Sequence, residues 1–235
     1  LDSISETYFE KIINFSATPN LKRGQNPDVE ITDEDAVLAK LIKKVELGDD
    51  TDSVGDAINK FQEIKDSYRN LLGVNPCLII QISNKDKADF ELNNIIFPEL
   101  NKVEHQGLKW MLIVDKDSNC DTNDVFKAKK LPVSKWKDYA KENTSTIDII
   151  IFKMVISEGW DIPRACMLYQ VRETQSVQLD EQVMGRVRRN PRLMDFEDLS
   201  KEAQDLATTA WVWGIVPEGK KKVYGVKLWD EPTDI

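Results

Sequence analysis

A chain of 235 residues, 41% hydrophobic, can bury a sizeable core, and its formal net charge of −9 excludes a generally basic surface that coats nucleic acid. Phosphate binding needs local Lys and Arg to displace counterions, so any polyanion site here must be a confined patch. No apolar run approaches the ~18 residues of a membrane span, the start LDSISETYF lacks a signal layout, and Cys77, Cys120 and Cys166 are too scattered for a disulfide framework or a CxxC metal site. The composition therefore predicts a soluble, cytoplasmic piece of a longer chain, with buried free thiols and no membrane contact.

In chain order, KIINFSA (11–17) reads as a buried strand closed by Pro19, and residues 20–32 are polar and turn-rich. DEDAVLAKLIKKVELG (33–48) has acids at its front, lysines toward its back and a final Gly, which predicts one helix. Residues 53–73 predict a second helix, with GDDTD between the two as an acidic loop. Strands are then expected at 77–83, 109–115, 147–155 and 166–171, with helices at 85–103, 134–141 and 175–189 between them. Such alternation builds βαβ units and a mostly parallel α/β sheet with helices on both faces. The tail 198–228 predicts a helix and two strands, AWVWGIV and KVYGVKLW, joined at PEGK as a hairpin.

Four of the eight arginines fall within residues 186–192. In a helix over 175–189, Gln182, Arg186 and Arg189 stand at i, i+4 and i+7, while Val183, Met184 and Val187 take the opposite side. A solvated amphipathic face explains this equally simply. Three features favour a ligand instead. Gly185 inside the helix costs ~1 kcal/mol relative to Ala and suggests a close approach. Arg replaces Lys throughout, as bidentate phosphate recognition prefers. Glu158-Gly159-Trp160-Asp161 follows a strand, where open parallel sheets place ligands beyond their carboxyl ends.

Gln182-x-x-Gly185-Arg186-x-x-Arg189 resembles the sixth motif of superfamily two helicases and translocases, and Glu158-Gly159-Trp160-Asp161 resembles the fifth. Ser16-Ala17-Thr18 resembles their SAT motif, and LIIQISNKDKAD (78–89) their fourth, all in the family's order. SEGWDIP, Arg172-Glu173 and Pro191 make the chain most similar to the restriction subunit of Type III restriction-modification enzymes. The resemblance implies the end of a first RecA-like lobe at 1–19, a linker and helical insertion at 20–75, a second RecA-like lobe at 76–192 and a C-terminal extension at 193–235.

In that family ATP and Mg²⁺ sit between two lobes, the second supplying arginines that reach the γ-phosphate. The resemblance assigns Arg186 and Arg189 to that role, oriented by Gln182, with Glu158, Gly159, Asp161 and Gly185 beside the nucleotide. It assigns Ser16, Ala17 and Thr18 to coupling, although a strand-end turn explains Ser16 and Thr18 locally, and it offers Ser83, Asn84, Lys85 and Lys153 either as contacts to a DNA backbone or as simply exposed residues. Double-stranded DNA and a modification methyltransferase subunit are the implied partners. A repair or replication helicase of the same superfamily, or an inactive docking module, stays open.

No GxxxxGK[ST] loop occurs, so the amide cradle for β- and γ-phosphates is missing and the fragment alone is expected not to hydrolyse ATP. DEDA (33–36) follows the SAT element and reads as a helix start. DKDSNCDTND (115–124) imitates a calcium loop but has Cys120 where Gly is needed and Phe126 where Glu is needed, so no metal site is expected. Glu63-Ile64-Lys65 lies in a helical pattern, unlike the strand that a nuclease site requires, and His105 reads as a loop residue.

Overall fold

The computed structural model describes residues 29–48, 53–83, 86–114, 116–153, 160–171 and 183–214. The predicted strand at 11–17 and the second strand of the predicted hairpin lie outside them. Internal contacts separate residues 1–32 from a unit running over 33–235. The elements below belong to the second unit.

Its framework is a sheet of seven strands among the described residues: β1 Lys44–Leu47, β2 Cys77–Ile82, β3 Trp110–Ile113, β4 Asp121–Thr122, β5 Ile149–Lys153, β6 Ala165–Gln170 and β7 Thr209–Gly214. Their order is β1-β7-β6-β2-β5-β3-β4, and only the β3–β4 pair is antiparallel. Every residue of β2 and of β6 is buried. Since neighbouring side chains on a strand point to opposite faces, both faces of the sheet's centre are covered. The mostly parallel α/β plan expected from CLIIQI, IIIFK and ACMLYQ is the plan observed.

Helices α1 Asp33–Leu38, α2 Val54–Leu72, α3 Asp86–Glu91, α4 Phe97–Leu100 and α5 Val133–Lys141 precede helical residues 183–187, here α6, and α7 Lys201–Ala207. Helix α2 is fixed at both ends. Ser53 and Asp56 form a reciprocal capping box, and Gly73 ends the helix in the left-handed region at φ 63°. Its buried face, including Ala57, Ile58, Phe61, Tyr68 and Leu72, joins the core around β2 and β6.

Several expectations need correction. Residues 33–48 are not one helix: α1 stops at Leu38, Lys40 turns the chain at φ 60°, and Lys44–Leu47 becomes an edge strand beside β7. The alternating Lys-Val-Glu-Leu suits an edge strand, and a continuous helix could not have carried Lys43 into the core, where it is fully buried. The helix expected over 85–103 is interrupted by a π turn at Leu92–Ile96. Pro98 follows directly and cannot donate to an α-helical ladder there. The calcium-like stretch holds a short 3₁₀ turn and the edge strand β4, with Asp121 accepting from Lys127 Nζ at 2.7 Å.

His105 is buried, not a loop residue: Nδ1 lies 2.8 Å from Glu99 O and Nε2 3.0 Å from Asn59 Oδ1. Helix 175–189 ends earlier than expected, with 187 its last helical residue and Arg189 in a β-bridge to Ile42. The three cysteines are buried and form no disulfide. No helix among the described residues is long and apolar enough to cross a membrane.

Candidate functional site

A guanidinium holds the turn before β6 in place. Arg164 is fully buried and donates from all three nitrogens: Nε to Ala140 O at 2.6 Å, Nη1 to Asn75 O and Pro76 O at 3.0 and 3.1 Å, Nη2 to Ile147 O and Ser145 Oγ at 2.8 and 3.3 Å. These acceptors belong to α5 and to the segments entering β2 and β5, so one side chain ties three chain segments to the start of β6. Four residues earlier, Trp160 Nε1 donates to Lys137 O of α5 at 3.2 Å, and Lys137 Nζ lies 6.0 Å from the indole ring centroid. The Trp160-Asp161 turn is therefore held from two sides.

Helix α6 meets this turn. Val183, Met184 and Val187 are buried, as the helical spacing predicts, and the arginines emerge from the other side. Arg186 Nη1 donates to Trp160 O, and Arg189 Nη1 forms an ion pair with Asp161 Oδ2. Arg189 retains 55% of its side-chain exposure, which leaves donors of its guanidinium fork facing solvent.

Two charges of one sign flank a single carboxylate. Burial, reinforced by Arg189, pushes the Arg186 guanidinium below its ordinary value, with Asp161 opposing. Arg186 Nε and Asp161 Oδ1 are buried and have no hydrogen-bond partner among the described residues. Unsatisfied buried groups are costly. A ligand carrying negative charge would relieve the Arg–Arg repulsion.

The location differs from the expectation in one respect. Trp160 and Asp161 precede the first residue of β6, and residues 188 and 189 pair with 43 and 42, just before β1. The pair thus stands at the amino ends of β6 and β1, because β6 runs parallel to β5, with β2 between them, and must start from the opposite side of the sheet from where β5 ends.

Of the other candidates, Gly185 is exposed and a Cβ there would meet nothing within 4 Å among the described residues, so the close approach expected of it does not occur among them. Ser83 is not available to a phosphate: it is buried, and Glu91 accepts from its N–H at 2.7 Å and its hydroxyl at 2.5 Å. Lys153 ends β5 at the opposite edge of the sheet from the arginines. Gln182, Glu158, Gly159, Asn84, Lys85 and Ser16, Ala17 and Thr18 lie outside the described residues. Sequence reasoning missed Lys43, Arg164 and Asp33 as parts of the surroundings. Only Arg188, inside the arginine cluster and on its apolar side, carried a visible signal.

No family model and no curated protein matches the chain. Solved structures similar to it include the C-terminal part of the Fun30 ATPase domain, at 12% identity and TM-score 0.34, covering 68% of this chain and 40% of that one. The Pyrococcus furiosus Hef helicase domain is 14% identical at TM-score 0.33, covering 72% of this chain and 27% of that one. The S. cerevisiae Dbp5 C-terminal domain bound to Gle1 and IP6 is 13% identical at TM-score 0.35, covering 77% and 80%. The chain thus spans well under half the length of the first two.

Proposed function

We propose that this chain carries the second motor lobe of an ATP-dependent DNA translocase, in the restriction subunit of a Type III restriction-modification enzyme. The observation that supports it is the convergence of Arg186 and Arg189 on the Trp160-Asp161 segment, with Arg186 Nε and Asp161 Oδ1 left without partners among the described residues. The motif order supports the superfamily, and SEGWDIP, Arg172-Glu173 and Pro191 support the branch.

On this reading Arg186 and Arg189 point their free donors at the γ-phosphate of ATP held by a first lobe, and stabilise the charge that develops on its oxygens during transfer. Asp161 keeps Arg189 in place before nucleotide arrives and accepts from a ribose hydroxyl afterwards. Gln182, Glu158, Gly159 and Gly185 complete the nucleotide contacts. Mg²⁺ would come with the triphosphate and be held by the first lobe. Asn84, Lys85 and Lys153 contact duplex DNA, Ser16-Ala17-Thr18 couples the lobes, and a methyltransferase subunit supplies sequence recognition. Ser83 is left out because Glu91 occupies it.

The test is duplex-stimulated ATP turnover by the full-length protein. Arg186→Ala and Arg189→Ala should each lower kcat by about 10³-fold or more, with the fold retained by circular dichroism. Turnover unchanged by both variants would remove the arginines from the chemistry. No turnover by any form would favour a docking module.

A further inference from the structure

Arg188, between the two arginines just discussed, faces the other way. Its side chain is buried; Nε donates to Lys43 O at 3.0 Å, and Nη1 and Nη2 donate to the two oxygens of Asp33 at 2.7 Å each. That is a bidentate, charge-assisted pair, the geometry in which an Arg–carboxylate contact fixes orientation as well as adding energy. The backbone repeats the connection: Lys43 N donates to Arg188 O at 2.6 Å, Ile42 and Arg189 form a bridge, and Asn190 Nδ2 donates to Lys40 O at 3.3 Å. Lys43 in turn donates from Nζ to Ala165 O at 2.7 Å, at the first residue of β6.

A closed circuit results, running from Asp33 through Arg188 and Lys43 to the start of β6, whose preceding turn carries Asp161. The arginine that projects outward and the carboxylate that receives it are therefore both referred to the segment Asp33–Lys43. We propose that this segment is a positioning brace for Arg189, with the Asp33–Arg188 pair as its fastening, so that displacement of the segment withdraws Arg189 from the nucleotide. This rests on the reading of Arg189 as a nucleotide contact, and makes the residues before β1 a control point for the same site.

A double-mutant cycle in the full-length protein separates positioning from plain stabilisation. Asp33→Asn keeps the shape and removes the charge; it should lower kcat for ATP about 10-fold while KM for ATP moves less than about 2-fold, as expected when only transition-state contacts are lost. On an Arg189→Ala background the same change should have no further effect. Additive losses, an unchanged kcat, or a loss wholly in KM would overturn the brace. If Arg189→Ala alone leaves turnover intact, the nucleotide reading fails, and hydrogen exchange without nucleotide decides the mechanical part. Asp33→Asn should then speed amide exchange at 186–190 and 160–161 with α5 unchanged; uniform or absent change overturns the brace.

Discussion

Lys43 is a lysine in the wrong dielectric. Its Nζ, which bonds to Ala165 O, lies 5.8 Å from the Tyr68 ring centroid, and Cys77 and Cys166 are the other titratable groups around it. Burial pushes its pKa down to about 8, against weaker opposition from the two thiols. A base with a lower pKa when folded leaves the unfolded chain holding the extra proton, so stability rises as pH passes from about 8 toward the ordinary value of 10.5. Burial pushes the Cys166 thiol the other way, up to about 12, and that acts against the fold only above its ordinary 9. The clean window is pH 7 to 9, where wild type should gain on the order of 1 kcal/mol more than Lys43→Met in denaturant unfolding. Parallel pH curves for the two proteins would show that the buried amine does not titrate.

At the scale of elements, strands announced themselves where burial is complete and failed to where it is partial. CLIIQI and IIIFK offer continuous apolar runs, so β2 and β5 were plain in the sequence. KVEL, half-exposed at the sheet edge, resembles the end of a helix in sequence because four residues with two lysines nearby cannot distinguish a period of 2 from one of 3.6. The spacing of Val183, Met184 and Val187 carries the buried side of the arginine helix, but not its end, since the bridge from Arg189 to Ile42 is a long-range contact without local signal. The close of β7 depends on a similar hidden constraint. Gly214 has φ 91°, and a Cβ on it would stand 2.2 Å from Gln170 O. Neither strand can shift cheaply, because β6 also pairs with β2. Gly214→Ala should therefore cost about 2 kcal/mol or more in chemical denaturation; a loss under about 0.5 kcal/mol would mean that the strand end relaxes freely.

For the whole molecule, the mostly parallel plan was legible because alternation of apolar and amphipathic segments depends on many residues at once. Half of the candidate site was legible for the opposite reason: Arg186, Arg189 and Asp161 stand in short stretches with fixed spacing, and the structure brings them together. What supports them was not legible. Arg164 reaches acceptors up to 89 residues away in the chain and Arg188 reaches Asp33 across 155, distances over which no pattern of residue types survives. Among the described residues, three of the four clustered arginines are ion-paired, Arg188 with Asp33, Arg189 with Asp161 and Arg192 with Asp195.

The most direct measurement is a structure of the full-length protein with a non-hydrolysable ATP analogue and Mg²⁺. Arg186 and Arg189 should each place a guanidinium nitrogen within about 3 Å of a γ-phosphate oxygen, with Asp161 against the ribose. A nucleotide bound elsewhere, or a triphosphate in place with both arginines still held on the Trp160-Asp161 turn and out of reach, would contradict the motor reading.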